Sequence, residues 1–210
     1  MAEGDIWISA IANNSDLLVG MEIDRDEPGW RAKAEGLAVR AEDLPFRLYG
    51  KYRDAFFEKG APDMFFGPGG IKISENLHHV FAAYNLGIAK IYPANLYLHD
   101  RKTLVVPNLY ILGVREDVEA FVPEQCQNVR ARYKHRSQAK PSPETKWKMP
   151  YTLQDGDIAV LPSKTEGLDF WSDKWLDSSL FFSDALKQAL CEGGYAKLFD
   201  FKKCKEAVLH

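Results

Sequence analysis

The clearest pattern along the chain is a short apolar strand followed by an amphipathic helix, and it occurs twice. In the first copy, the alternating residues 71–73 precede Ser74, and apolar positions recur at helical spacing as far as Gly87. In the second copy, residues 180–182 precede Ser183, and the same spacing runs into a Gly-Gly pair. Serine caps helix N-termini and glycine favours helix ends. The pattern therefore predicts two Ser-capped helices in a repeated strand-helix-strand unit.

Shorter runs predict further strands before the first helix. Apolar runs at residues 6–8, 17–23 and 46–49 predict a small antiparallel element in the first sixty residues. The acidic and Gly/Pro residues between these runs indicate turns. Residues 62–70 are rich in glycine and proline, and they predict a loop.

Beyond the first helix, β-rich runs at residues 88–98 and 103–114 flank a polar tetrad and predict a hairpin. Pro93 and Pro107 lack a ladder donor, so each run should be an edge strand or a strand broken by a bulge. An apolar run at residues 198–201 predicts a strand after the second helix.

These elements predict an α+β fold with mostly antiparallel sheet, two Ser-capped helices and an exposed basic loop. We expect an amino-terminal β-rich region at residues 1–60 and a second region at 61–210, with one compact domain overall as the alternative. The second region would hold two similar units, residues 61–114 and 158–201, and a basic insert at 129–148.

The motifs of these two units resemble a known family. Those that carry the resemblance are, in chain order, Pro62-Asp63, Ile71-Lys72-Ile73-Ser74-Glu75-Asn76-Leu77, Ile91-Tyr92-Pro93, Tyr110-Ile111-Leu112-Gly113-Val114, and Phe182-Ser183-Asp184-Ala185-Leu186-Lys187-Gln188-Ala189-Leu190 leading to Gly194. In this order they resemble the bacterial immunity-protein family numbered eleven in the Imm series, formerly a domain of unknown function. The first sixty residues and the basic insert have no counterpart in the resemblance.

The resemblance implies a function in bacterial competition. Such proteins are encoded beside polymorphic or type VI secretion toxins, and they protect the producing cell by binding the cognate toxin without catalysis. The expected partner is therefore a toxin encoded nearby, and no cofactor is expected. The family supplies no motif of functional residues. Ser74 and Ser183 match its pattern, and their expected role is helix capping.

Charge is unevenly distributed along the chain. Lysine and arginine number 27 against 30 acidic residues, a net charge of −3. Residues 129–148 alone carry +6, so the remainder carries about −9. This insert has three interpretations: a solvated loop, a docking arm for an acidic toxin surface, or a nucleic-acid-binding segment, which the acidic remainder disfavours.

Candidate toxin-binding residues lie in three places. The basic candidates are Arg130, Arg132, Lys134 and Arg136. An acidic patch around Asp24 and Asp26 is the alternative, since immunity proteins can mimic the substrate of a nuclease. Trp171 and Trp175 are aromatic candidates, because exposed tryptophans anchor interfaces.

Chemistry is weakly indicated by the sequence. Cys126 with His135, or the adjacent His78 and His79, would serve a small hydrolase or transferase, which is the enzyme alternative. Adjacent helical histidines point about 100° apart and do not predict a metal site. Three widely spaced cysteines favour a reducing compartment, and no run reaches the roughly 18 apolar residues of a membrane span. We therefore expect a cytoplasmic protein without a membrane partner.

Overall fold

The computed structural model of the chain describes residues 4–51, 61–114, 116–132 and 144–208. The fold is α+β with mostly antiparallel sheets, which confirms the predicted class. Within the described ranges, contacts divide the chain into two compact units. The six-stranded unit comprises residues 15–82 and 89–114, and the five-stranded unit comprises the amino terminus to residue 14, residues 83–88 and the remainder from 116.

The elements are named in chain order. The strands are β1 (Ile6–Ser9), β2 (Met21–Ile23), β3 (Phe46–Gly50), β4 (Met64–Gly67), β5 (Gly70–Ile73), β6 (Lys90–Tyr97), β7 (Leu104–Gly113), β8 (Glu116–Val118), β9 (Arg130–Arg132), β10 (Lys146–Lys148), β11 (Ala159–Val160), β12 (Phe170–Asp173), β13 (Leu176–Asp177), β14 (Leu180–Ser183), β15 (Lys202–Lys203) and β16 (Lys205–Glu206). The α-helices are α1 (Pro28–Ala34), α2 (Glu75–Ala82), α3 (Asp184–Glu192) and α4 (Ala196–Phe199). Short 3-10 helices occur at Ile11–Asn13, Ser15–Leu17, Ala41–Asp43, Pro123–Gln125 and Pro162–Lys164.

The six-stranded sheet has the order β2-β3-β6-β7-β5-β4. Neighbouring strands are antiparallel except β3 and β6, which are parallel. Because β2 and β3 precede residue 60, this sheet joins residues on both sides of the predicted boundary. The first sixty residues also contain α1, a helix that the sequence pattern did not predict. It begins at Pro28, and proline is a favoured residue in a first helical turn.

Buried aromatic and aliphatic side chains form the core of this unit. The ring of Trp30 on α1 stacks on Phe46 of β3 with centroids 4.2 Å apart. Leu48, Phe65 and Leu96 are fully buried in the same cluster. Helix α1 therefore covers the sheet through its tryptophan.

The predicted hairpin is present, but its strands are central in the sheet. β6 and β7 pair antiparallel, and the ladder register shifts on either side of Leu96. The predicted edge position is wrong for both strands. The predicted bulge is observed at Pro107, which lies between the paired residues Val106 and Leu109, whereas Pro93 lies opposite Tyr110 in the regular part of the ladder.

The predicted loop at residues 62–70 is mostly a strand. Met64 to Gly67 form β4, which pairs with β5, and only Pro68 and Gly69 remain as the turn of the hairpin. Prediction failed here because the high glycine and proline content of the turn masked the apolar residues Met64 and Phe65, which are both buried.

The five-stranded sheet has the order β15-β1-β14-β12-β8. Two smaller sheets, β13-β10-β9 and β11-β16, belong to the same unit. The predicted strand at residues 198–201 is wrong: residues 196–199 form α4, and the chain turns at Asp200, whose φ is 46°. Phe199 is fully buried against the rings of Phe182 and Phe201, so tertiary packing selects the helix.

Both predicted helices begin at a serine cap. The Ser183 hydroxyl accepts a hydrogen bond from the Leu186 amide at 3.2 Å, and Ser74 accepts one from the Leu77 amide at 3.4 Å. Helix α3 ends before Gly193 as predicted, whereas α2 ends at Ala82, five residues before Gly87.

The two units share more than a strand and a helix. Each contains four adjacent antiparallel strands, β4-β5-β7-β6 in one unit and β12-β14-β1-β15 in the other. In each unit the capping serine lies at the carboxyl end of the second of these strands, directly after β5 in one unit and as the last residue of β14 in the other, and the helix follows the serine. The third strand differs in origin, because β7 follows its helix in the chain whereas β1 comes from the amino terminus.

Candidate binding surface

The basic insert begins and ends in a two-stranded ribbon. β9 and β10 pair antiparallel, with Arg132 opposite Lys146 and Arg130 opposite Lys148. Successive side chains of a strand point to opposite faces. The four cationic side chains therefore share one face of the ribbon, which we call the cationic face.

The opposite face of the ribbon is held against the core. Its residues are Ala131 and Trp147, which are paired in the register. Trp147 packs against the buried cluster of the five-stranded unit, with its ring centroid 6.5 Å from that of Phe121. The Trp147 amide also donates to the Trp175 carbonyl at 2.7 Å. The core thus fixes which way the four cations point.

One carboxylate lies among these cations. Asp177 of β13 accepts from Arg132 at 2.7 Å and lies 3.8 Å from the Lys146 ammonium. Arg130 and Lys148 are exposed, and neither forms an ion pair with any residue that the structure describes. Arg132, Arg130, Lys146 and Lys148 against Asp177 leave a net charge of +3 on this face.

A cavity of about 500 Å³ opens beside the cationic face. Arg132, Lys148 and Asp177 line it on the ribbon side, and the remainder is lined by Met149, Pro150, Tyr151 and Ser178. The Tyr151 side chain is completely exposed. The surface therefore combines unpaired cations, a recess and an accessible aromatic ring.

The composition of the insert predicts a loop across its whole length, and this prediction is wrong at both ends. Arg130–Arg132 and Lys146–Lys148 are strands. The alternation Arg-Ala-Arg and Lys-Trp-Lys was the missed signal, since each triplet has the period of a strand with one polar face. Lys134 and Arg136 lie outside the described residues.

The two tryptophan candidates have different environments. Trp171 is only 4% exposed, and its ring stacks on Phe181 with centroids 5.4 Å apart. Its packing makes it a core residue. Trp175 is partly buried, and the Lys174 ammonium lies 4.6 Å from its ring.

The acidic candidates lie in the turn before α1. The Asp24 carboxylate accepts from the Asp26 amide at 3.2 Å, which is a local turn contact. Arginines accompany this region: Arg101 pairs with Glu22 at 3.1 Å, and Arg25 separates the two aspartates in sequence. The local negative charge is therefore partly compensated.

The thiol of Cys126 is poorly suited to nucleophilic attack. It accepts a hydrogen bond from the Ala159 amide at 3.0 Å, and burial raises its pKa to about 11. The thiolate is the nucleophilic form, so the neutral thiol reacts slowly near pH 7. His135, its proposed partner, lies outside the described residues.

The adjacent histidines have different surroundings. His78 stacks on Tyr110 with centroids 3.9 Å apart, while His79 is exposed. Burial, followed by the charge of His79, lowers the pKa of His78. Across the described ranges, no three His, Cys, Asp or Glu side chains converge as a metal ion would require.

None of the helices described has the length and apolar character needed to span a bilayer. Comparison of the chain with protein-family models gives no match, and comparison with curated proteins gives none either. The resemblance to the immunity family rests on the motifs quoted above and stays a prediction.

Proposed function

We propose that this protein is an immunity protein that neutralises a cognate bacterial toxin by binding an acidic surface of it. The observation that supports the proposal is the cationic face, where Arg130 and Lys148 are exposed beside Arg132 and Lys146. The resemblance of the two repeated units to the immunity family indicates that the partner is a bacterial toxin. In this proposal the protein acts in the cytoplasm, by stoichiometric binding and without catalysis or a cofactor.

Complementary charge favours such a partner. Opposite potentials across an interface raise the association rate and disfavour wrong partners. Tyr151 adds a completely exposed aromatic ring beside the cavity, and tyrosines are frequent hot-spot residues in protein interfaces. The ribbon would thus contribute charge, and Tyr151 an anchor.

A nucleic acid is a less suitable partner for this face. Single-stranded nucleic acids usually bind basic grooves that carry several stacking aromatic rings. Here Trp147 faces the core, and among the described residues that line the cavity Tyr151 alone carries an aromatic ring. Asp177 would also lie close to any phosphate bound between Arg132 and Lys146.

The test begins with the protein encoded beside this chain. We expect that protein to be toxic when expressed alone, harmless when co-expressed with this chain, and to co-purify with it at a fixed ratio. If the neighbouring product is harmless by itself, or if the two proteins do not co-purify, the immunity function is wrong.

The cationic face is tested separately by charge reversal. We expect Arg130→Glu with Lys148→Glu to weaken the toxin complex at least about tenfold, mainly through a slower association rate at low salt. Lys164→Glu with Lys197→Glu is the matched control, because it makes the same charge change at two exposed lysines of the same unit. Equal loss in both double variants, or loss in neither, would show that this face is not the toxin-binding surface.

Retention on nucleic acid is the remaining outcome to measure. The salt dependence of single-stranded DNA or RNA binding is measured for the unmodified protein and for the Arg130→Glu/Lys148→Glu variant. If binding weakens steeply with salt and is lost in the variant, this face is a nucleic-acid site and not a toxin-binding surface. We expect no such retention at physiological salt.

A further inference from the structure

A second cavity lies wholly within the six-stranded unit, beside α1 and the β4–β5 turn. Its volume is about 430 Å³, which is sufficient for a small organic molecule. Its walls combine cationic and apolar side chains. It shares no residue with the cationic face.

Three cationic residues line this cavity: Arg25, Arg31 and Lys33. Arg25 and Arg31 are exposed, and neither has an ion-pair partner within the described residues. The Lys33 ammonium donates to the Gly69 carbonyl at 2.8 Å. Glu35 is the single acidic side chain among the described residues of the lining, which therefore has an excess of positive charge.

A second lysine lies behind the wall that the β4–β5 turn forms. The ammonium of Lys72, which is completely buried, donates to the carbonyls of Pro68 and Gly70. Burial and then the charge of Lys33 lower the pKa of Lys72 to about 7. Two lysine side chains therefore donate to the carbonyls of one short turn, and no carboxylate among the described residues pairs with either of them.

The remaining walls are apolar and closely fitted. Trp30, Ile23 and Ala34 line the cavity from β2 and α1. The turn approaches the indole so closely that a Cβ on Gly69, whose φ is +85°, would lie 2.5 Å from the Trp30 ring. The buried indole N–H of Trp30 has no acceptor among the residues described, which is rare for a buried donor.

We propose that this cavity binds a small organic anion, namely a compact ring or alkyl body that carries one phosphate, sulfonate or carboxylate group. The guanidinium groups of Arg25 and Arg31 would hold the anionic group, since arginine binds planar and tetrahedral oxyanions with paired donors. The apolar body would lie against Trp30 and Ala34. The proposal does not rest on toxin binding.

Phenyl phosphate is the probe, measured by isothermal titration calorimetry beside inorganic phosphate and phenol. We expect phenyl phosphate to bind at least about tenfold more tightly than either part, because the cavity offers both a charged and an apolar contact. Equal affinity for phosphate and phenyl phosphate, or no binding of phenyl phosphate, would overturn the proposal.

Two variants distinguish binding in this cavity from general electrostatic attraction to the protein surface. Arg25→Ala with Arg31→Ala removes the anion contacts, and Ala34→Phe fills the cavity from an exposed helix position without changing the charge. We expect each to weaken phenyl phosphate binding about tenfold or more. Lys164→Ala with Lys197→Ala, the charge-matched control, should leave the affinity within about twofold.

Circular dichroism spectra of all variants verify that the fold is retained. If Ala34→Phe keeps its spectrum and binds phenyl phosphate as the unmodified protein does, the ligand lies elsewhere and the assignment to this cavity is wrong.

Discussion

The ammonium of Lys72 lies beneath the β4–β5 turn, where it is completely buried and bound by two backbone carbonyls. A charged group loses its hydration on burial, and carbonyl oxygens replace that hydration only in part. Burial is therefore the main reason why its pKa falls to about 7, and the neighbouring Lys33 charge adds to the effect. The same ammonium holds the turn in place through its two hydrogen bonds. Burial of Lys72 therefore lowers the stability of the fold, and its hydrogen bonds raise it.

This environment predicts an unusual dependence of stability on pH. The folded-state pKa of Lys72 lies at about 7, below the ordinary lysine value of 10.5, so between these pH values the unfolded state holds the extra proton. The contribution of Lys72 to the unfolding free energy therefore rises with pH, by at most about 3 kcal/mol from pH 7 to pH 9. Urea denaturation at both pH values, compared with Lys72→Met, measures this contribution.

Lys33→Met is the control for that comparison, because burial also lowers the pKa of Lys33. We expect the Lys72→Met variant to lose most of the pH-dependent gain and the Lys33→Met variant to lose less. An unchanged gain in Lys72→Met would mean that the Lys72 ammonium is solvated.

At the scale of elements, the helix starts are built on one repeated contact. The Ser74 hydroxyl donates to the Asp63 carboxylate at 2.7 Å, and the Ser183 hydroxyl donates to that of Asp169 at 2.6 Å. Each serine amide also donates to the carbonyl of the same aspartate, at 2.8 Å for Ser74 and 2.9 Å for Ser183. The aspartate that begins a hairpin is thereby tied to the serine that begins the following helix.

Removal of either cap should destabilise its unit. We expect Ser183→Ala to lower the unfolding free energy by about 1–2 kcal/mol and Ser74→Ala by about 1 kcal/mol. The larger effect belongs to Ser183 because Asp169 is less exposed than Asp63, so its carboxylate is harder to solvate when the hydroxyl is lost.

Chemical denaturation of the two variants measures these losses. Ser163→Ala is the matched control, because Ser163 is exposed and forms no cap, and its change should stay within about 0.5 kcal/mol. A loss at Ser163 equal to that at Ser183 would contradict the capping role.

The sequence predicted the starts of both α2 and α3, but it predicted the end of α3 alone. A cap and the apolar spacing after it lie within a few residues of each other, so local sequence carries the signal. The end of α2 depends on distant residues instead: past Ala82 the chain reaches Asn85, whose amide donates to Asp169 at 2.9 Å and whose side chain donates to the Gly167 carbonyl at 2.6 Å. Gly87 therefore marks a turn in the other unit rather than the helix end.

At the scale of the whole molecule, the amino-terminal strand completes a sheet formed mainly by the carboxyl-terminal half of the chain. β1 lies between β14 and β15 and pairs antiparallel with both. Ile8 of β1 is 1% exposed and belongs to the core of the five-stranded unit. The unit can therefore reach this arrangement only after both ends of the chain are available.

Ile8→Ala tests how far the sheet depends on β1. Loss of this buried side chain should cost about 2–5 kcal/mol, through lost apolar burial and the cavity left behind. Hydrogen-exchange mass spectrometry should show faster exchange in β14 and β15, the strands that pair with β1.

Ile88→Ala makes the same substitution in the same unit at a side chain that is 47% exposed, and it should change stability by less than about 1 kcal/mol. Similar losses in the two variants, or unchanged exchange in β14 after Ile8→Ala, would show that β1 is not required for this sheet.

The sequence by itself determined the α+β class, strands with clear apolar runs such as β1, β5, β6 and β7, and the capped starts of α2 and α3, because strand periodicity and capping are properties of neighbouring residues. Tertiary structure decided which strands pair, since the pairing of β1 with β14 joins residues from opposite ends of the chain. It also decided the environment of single side chains: Trp171 and Lys72 are buried, whereas Arg130 and Lys148 meet on one exposed face. Burial and charge convergence depend on groups that are distant in sequence. The basic insert was already a candidate in the sequence, but the shared face of its four cations and the cavity beside α1 became visible only in the folded chain.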